Sequence, residues 1–505
     1  MKGLSYRTLE EAGYTGYLCR QGTERVLQFG EGNFLRAFVD YFIDIANEKT
    51  GWGTKVVAVQ PIAQGKAQEI NGQEGLYTVY LRGLEDGKEV VRKRIVSCVS
   101  KCLNPYKEYQ ALMAYAASPD LRYLVSNTTE AGIVYDRDSL PEQKPPVTFP
   151  AKVARFLYER YQVFDGDPAK GLVILSCELI DHNGEELKRC VLEYCRQWKL
   201  GAGFEAWVKD HNLFCSTMVD RIVTGYPGAE AQALNQENGY EDRLLDTGEV
   251  FAVWVIEGPE TLEEELPFRK AGLPVVITGD CTPYKKRKVR MLNGVQTTMV
   301  LASYLSGQDI VRRCMEDRAI DSFMKRCVYE EIIPVLTEYP REELEAYGRG
   351  LFDRLRNPFI DHSLLAISLN TTAKWRARVL PTIREYLALK QELPPCLMLG
   401  FAAYLRFYHG SRLESGALIA RRDGEDYRIC DDQAVLDFFY AHRGDSWAEL
   451  TGAVCANASF WGEDLGRIPG FQKMVLEYLE LFEREGVHRG FEILGRQQSG
   501  RRKRT

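Results

Sequence analysis

Residues 25–51, RVLQFGEGNFLRAFVDYFIDIANEKTG, decide the fold. RVLQFG is short and apolar enough to be a buried strand, and Gly30 and Gly32 follow at once as a GxG turn. From Asn33 the apolar residues recur at helical spacing as far as Gly51, where a glycine can end a helix. A strand, a glycine turn and a helix in succession make a phosphate site, because the first helical turn offers unpaired N–H groups and the positive end of the helix dipole. Gly30 permits the tight turn and Gly32 lets backbone approach a pyrophosphate, with Asn33 and Phe34 opening the helix beside it. The third position of the usual fingerprint is Leu35, not glycine. GxG alone is a weak signal that a plain tight turn also gives, and the strand–turn–helix context strengthens it.

Outward from that stretch, TKVVAVQP (54–61) is a second strand stopped by Pro61. A third lies at 121–125 within LRYLVSNTTEAG, and GLVILSCELI (171–180) supplies a fourth, nearly continuous in apolar residues as a strand covered on both faces requires. Strands alternating with helices predict βαβ units and a parallel, doubly wound sheet: an α/β Rossmann-type N-terminal domain over residues 1–275. Two insertions interrupt it. Residues 75–100 form a hairpin turning at Asp86-Gly87, and SLPEQKPPVTFP (139–150) is a proline-rich loop. After about Asp280 strand signals nearly vanish. Amphipathic stretches such as EELEAYGRGLFDRL and FQKMVLEYLELFERE predict a mainly α-helical C-terminal domain over residues 276–505.

Composition narrows the function. The 505 residues carry a net charge of -6, against the basic stripe a nucleic-acid protein needs. The N-terminus lacks the apolar core of a signal peptide. No apolar run reaches the ~18 residues of a membrane span. Thirteen cysteines show no CxxC and no zinc-knuckle spacing, which points to buried free thiols, a reducing cytoplasm and no metal site.

The carboxyl ends of the strands are where a cofactor crevice opens. The second strand ends in Gln60, where an acidic residue normally bonds the adenosine ribose. Gln60 can bond a hydroxyl without repelling a 2′-phosphate, so NAD and NADP both stay open at this position. The third strand ends in SNTTEAG, making Asn127, Thr128 and Glu130 candidates for the nicotinamide side, or a polar loop with a helix cap.

In KVRMLNGVQTTMV (288–300) a lysine and two amides sit among apolar residues. At about 100° per residue, Gln296 and Asn293 fall within about 140° of Lys288, while Arg287, Arg290 and Thr297 lie opposite. A regular helix therefore buries Lys288, Asn293 and Gln296 together. Burial and the neighbouring cations push such a lysine toward neutrality, where it can act as general acid or base. Asn293 can donate to a carbonyl or alkoxide oxygen. The alternative is a lysine that reaches solvent from a helix end.

FGEGNFLRAF, SNTTEAGI, SCELIDHNG, FCSTMVDRI, WVIEGP and TPYKKRKVRMLNGVQTT together resemble the mannitol dehydrogenase family of polyol-specific long-chain dehydrogenases, and NPFIDHSLLAISLNTTAKWRARVLP extends the likeness into the helical half. The resemblance implies a Rossmann-type domain, a helical domain, and a site between them. It implies NAD-linked, metal-free reduction of D-tagaturonate to D-altronate in hexuronate breakdown. On the family signature K-x-x-x-x-N-x-x-H, Lys288 falls on the acid–base lysine, Asn293 on the asparagine that polarises the reacting oxygen, and Gln296 on the histidine. Glutamine can orient a hydroxyl but cannot titrate. Where the polyol branch has an asparagine and a glutamate, this chain has Leu179 and Lys285, a change that suits an anionic substrate. Lys374 matches a substrate-binding lysine, with Arg378 a second cation for the carboxylate, His362 a substrate contact or core filler, and Asp220 and Arg221 the floor of the site or a structural pair. The expected partner is a small hexuronate, with neither nucleic acid nor membrane. Oligomeric state is not fixed by the sequence. Fructuronate reduction, hexitol oxidation, and a cofactor-binding homologue impaired by Gln296 remain as alternatives.

Overall fold

The computed structural model describes residues 1–129 and 131–501, with side chains as far as residue 496. It divides into two units, Met1–Gly83 with Glu89–Tyr284, and Leu84–Lys88 with Lys285–Thr505.

The first unit is built on six parallel strands: β1 (Thr23–Phe29), β2 (Thr54–Val59), β3 (Val99–Leu103), β4 (Tyr123–Ser126), β5 (Val173–Ser176) and β6 (Leu213–Cys215). Their spatial order is β3-β2-β1-β4-β5-β6, the 3-2-1-4-5-6 order of a doubly wound dinucleotide fold. Alternation along the strands sends side chains into two cores. Val26, Val56, Val125 and Val173 join one, and Leu27, Val57, Leu124 and Ile174 the other. Both faces are therefore covered, and the strands read as unbroken apolar runs. Phe29 pairs with both Val59 and Ser126, and Ser126 with Ser176, so four strand ends finish level.

The hairpin at Asp86-Gly87 is present, both residues taking positive φ (51° and 75°) between Tyr77–Glu85 and Lys88–Val96. The sequence pattern carries it on through Ser100. In the structure it ends at Val96, and Val99 begins β3, with no turn residue to mark the change. The hairpin strands join Val223–Gly225 and Asp246–Glu249 in a second sheet, and Thr217–Asp220, Val253–Glu257 and Val275–Thr278 form a third.

The second unit is mainly helical around one core, with the helix Pro395–Phe407 buried along most of its length. It also holds an antiparallel sheet, Arg412–Glu414, Ala417–Arg422 and Glu425–Ile429, absent from the sequence expectation. Its signal was two tight turns, Ser415-Gly416 and Asp423-Gly424, all four residues at positive φ. Among the described residues no helix is long and apolar enough to cross a membrane.

Arg160 holds the approach to β4. Its buried guanidinium donates to four carbonyls, of Lys170 (2.7 Å), Ala116 (3.0 Å), Ser118 (2.8 Å) and Leu121 (3.0 Å). Arg160→Met strands these acceptors. It should lower unfolding stability by about 3 kcal/mol or more, read as a shift in urea midpoint.

Candidate active site

The level strand ends bring Gly30, Gln60, Asn127 and Cys177 to one edge. Gly30 donates to the Val59 carbonyl (3.0 Å), Gln60 to Leu103 (2.9 Å), Asn127 to Phe29 (3.1 Å) and Cys177 to Ser126 (2.8 Å). Gly30 has φ of 127°, and a Cβ there would lie 2.7 Å from Leu35 Cδ1 and 3.1 Å from the Asn127 carbonyl. Only glycine fits. A Cβ on Gly32 would meet nothing within 4 Å, so space is open in front of the turn. The helical run continues from Asn33 through a π-type stretch, Arg36–Asp40, to Thr50, and Gly51 caps it at φ 69°. Gly32 and Asn33 are exposed at its start, with the Asn33 side chain held by Arg36 (2.5 Å), while Phe34 stacks on Phe38. The open turn at a helix start, set at the point where strand order reverses between β1 and β4, fits a dinucleotide.

Gln60 is committed elsewhere. It is buried, its amide donates to the Ile62 (2.8 Å) and Ala63 (3.0 Å) carbonyls, and its oxygen accepts from Ala67 N–H (3.4 Å). The side chain fastens the loop after β2. Asn127 donates to the Cys177 carbonyl (2.6 Å), and Thr128 donates through N–H and hydroxyl to Glu178 (both 3.1 Å). Glu130 lies outside the described residues. Two buried carboxylates at this edge escaped the sequence reading. Glu31, in the turn itself, accepts from Lys66 N–H (3.2 Å), and Glu178 ties the ends of β4 and β5 together. Burial raises the pKa of both. Only their position beside the glycine turn and within SCELI pointed to them.

Asp220 closes the strand Thr217–Asp220 and is buried. Arg221 is a fastener: it donates to the carbonyls of Ala37 (2.6 Å) and Phe251 (3.1 Å) under the rings of Phe38, Tyr41 and Phe42.

In the second unit the helix carrying Lys288 is not regular, which corrects the periodicity argument. Thr282–Lys288 is α-helical, Val289–Gly294 is π-helical, and Val295–Leu305 is α-helical again. The wider turn rotates the buried face. Arg287 and Arg290, expected opposite the core, are buried, whereas Lys288, Asn293 and Gln296 are half-buried. Arg290 is satisfied by Thr382 (2.7 Å) and Glu385 (3.1 Å), and Arg287 by Glu343. Lys288 and Asn293 stand five residues apart, one i→i+5 turn, and Gln296 three further on, so all three share a face. A Cβ on Gly294 would lie 3.4 Å from the Arg378 carbonyl, which belongs to a second π-helical stretch, Trp375–Val379.

Two other candidates, Lys374 and His362, lie near the start of that stretch. Lys374 donates to the Ile367 carbonyl (2.8 Å). Burial and then the Arg378 charge lower its pKa, opposed by Asp431. Burial and then the Lys374 charge lower that of His362. Among the described residues no group of three or more His, Cys, Asp or Glu is placed to hold a metal.

Glycine turn, strand order and helix start define a Rossmann-type nucleotide-binding domain. The chain belongs to the mannitol dehydrogenase family: the mannitol dehydrogenase Rossmann domain matches residues 24–270 and the mannitol dehydrogenase C-terminal domain residues 280–482. It is 44% identical over 493 residues to an altronate oxidoreductase of Pectobacterium carotovorum, covering 96% of this chain and 99% of that one. It is 41% identical over 488 residues to one of Yersinia enterocolitica, covering 95% and 98%. Among solved structures, the Pseudomonas fluorescens mannitol 2-dehydrogenase ternary complex with NAD and D-mannitol aligns with a TM-score of 0.67 at 23% identity, covering 98% of this chain and 99% of that one. A substrate-free D-sorbitol dehydrogenase aligns at 0.75 and 22%, covering 94% and 96%.

Under the glycine turn, Asp40 is fully buried and accepts from Tyr77 (2.8 Å) and Gln28 (3.3 Å). Burial outweighs both bonds and raises its pKa from 3.8 to about 7. A raised folded pKa means that the folded chain holds this proton more tightly than the unfolded one. The resulting stabilisation is complete below about pH 3.8 and is lost as pH rises through 7. Asp40→Asn should therefore flatten the fall in stability between these limits, read from urea midpoints across the pH range.

Proposed function

We propose that the protein is an NAD-dependent oxidoreductase that reduces D-tagaturonate to D-altronate, reversibly, in cytoplasmic hexuronate catabolism. Altronate oxidoreductases 41–44% identical over nearly the whole chain support the substrate. The observation that carries the chemistry is the π turn that sets Lys288 and Asn293 on one face.

Gly30, Gly32 and the start of the helix at Asn33 would hold the dinucleotide pyrophosphate, and Asn127 and Thr128 would line the nicotinamide side. When bound, the cofactor supplies the hydride to the ketone carbon or accepts it in the reverse direction. Lys288 gives a proton to the ketone oxygen as the C–O double bond becomes single, and removes it from the hydroxyl on the way back. The Asn293 amide donates to the same oxygen and holds it while charge develops. Gln296 positions a neighbouring hydroxyl, with Lys374, His362 and Asp220 as further substrate contacts. Because the lysine and the amide together meet the needs of that oxygen, the reading requires no metal.

Gln296 in the histidine position favours a second reading, a cofactor-binding homologue with weakened turnover. NADH absorbance with tagaturonate, fructuronate and fructose separates the readings. Oxidation of NADH by tagaturonate alone supports the first. Tight NADH binding with no turnover, unrescued by Gln296→His, supports the second.

Lys288→Ala should lower kcat about 10²- to 10⁴-fold with NADH affinity retained, in stopped-flow and equilibrium titrations. Gly30→Ala should weaken NADH binding at least about tenfold, since the new Cβ strains the turn and collides with Leu35; a fluorescence titration reads the change.

A further inference from the structure

Arg378 is a half-buried cation of the second unit. It lies on the π-helical stretch Trp375–Val379, and among the described residues its guanidinium has no carboxylate or hydrogen-bond partner. Its neighbours in the same core are treated otherwise. Arg287 meets Glu343, and Arg290 meets Glu385. Withdrawing a cation from water without a counter-ion costs stability, so a half-buried guanidinium with no carboxylate is a candidate partner for the negative charge of a ligand.

The surroundings sharpen the point. Lys374 adds a second positive charge beside Arg378, and burial first, then the Arg378 charge, lowers its pKa. Asp431 acts on Lys374, but its carboxylate is already taken up by Thr372 N–H (3.1 Å), the Thr372 hydroxyl (2.8 Å) and the Tyr408 hydroxyl (2.6 Å). The His362 imidazole, whose pKa burial and the Lys374 charge lower, can supply no negative charge. Two half-buried cations thus lie beside each other, and among the described residues no carboxylate pairs with Arg378. The Arg378 carbonyl packs against Gly294, the residue after Asn293, so the stretch that bears Arg378 and follows Lys374 is fixed to the turn that carries Asn293.

We propose that Arg378, with Lys374 beside it, seats the carboxylate of the substrate and selects a hexuronate or hexonate over an uncharged hexitol. The planar guanidinium fork matches a carboxylate with two parallel hydrogen bonds, while the ammonium adds a point charge. The inference rests on the proposed function for the identity of the sugar acid, but the seat binds a carboxylate whether or not turnover follows.

The test is calorimetric titration of D-altronate, and of its uncharged counterpart D-altritol, into the full chain saturated with NADH, a combination in which no hydride can move. Arg378→Met should raise the altronate Kd about 10- to 150-fold, Arg378→Lys should recover part of the loss, and the altritol Kd should stay within about twofold. Equal weakening of both ligands in the Met and Lys variants, or an unchanged altronate Kd, overturns the seat. Wild-type protein that fails to bind altronate overturns it as well. Wild-type protein that binds altronate yet turns over no hexuronate sinks the proposed reaction and leaves the seat standing.

Discussion

The face that Lys288, Asn293 and Gln296 share depends on one extra residue in a helical turn. An α-helix closes each turn with i→i+4 bonds, and Val289–Gly294 closes with i→i+5 bonds. The wider turn turns Arg287 and Arg290 inward to carboxylate partners and leaves Lys288, Asn293 and Gln296 together at the margin of the core. Gly294 packs against the Arg378 carbonyl, which would lie 3.4 Å from a Cβ there, an ordinary contact. Two π-helical stretches therefore lie against each other, with Lys288 and Lys374 immediately before them and Asn293 and Arg378 within them. The hydroxyls of Thr297 and Thr298 bond back to the carbonyls of Asn293 and Gly294 (2.8 and 2.9 Å), satisfying acceptors at the end of the irregular turn.

The nucleotide-binding unit solves a different problem, that of ending several strands at one level and keeping the edge polar but rigid. The register of Phe29 with Val59 and Ser126 sets the level. Glu178 and Gln60 then spend their side chains on backbone groups of the loops that follow. Beneath the glycine turn, Asp40, Gln28 and Tyr77 form a buried polar group, and Arg36 reaches the Leu244 carbonyl, Asn33 and, at 3.4 Å, Asp246. Burial raises the pKa of Asp246 to about 7. These charges are costly individually, and they hold the first helix at one angle to the sheet.

Much of this was legible in the amino-acid order. The GxG turn, the alternation of strands with helices, the Asp86-Gly87 hairpin and the helix stop at Gly51 are local signals, each set by one residue's conformational preference or by a short apolar period. The motifs that carry the family likeness are local too. Less legible was what depends on partners distant in sequence. Val99–Leu103 looks like the tail of a hairpin until it is seen paired with β2. Gln60 looks like a ribose contact until its amide is found bonded within its own loop.

The sequence by itself determined the doubly wound nucleotide-binding unit, the helical character of the second half and the family, because period, turn chemistry and motif spacing are written within a few tens of residues. Tertiary structure alone decided which face of the lysine helix is buried and that Arg378, among the described residues, is left without a carboxylate. An even 100° wheel cannot foresee a π turn, and a cation's partner is chosen by packing between segments some 50 to 95 residues apart, as Arg287 with Glu343 and Arg290 with Glu385 illustrate.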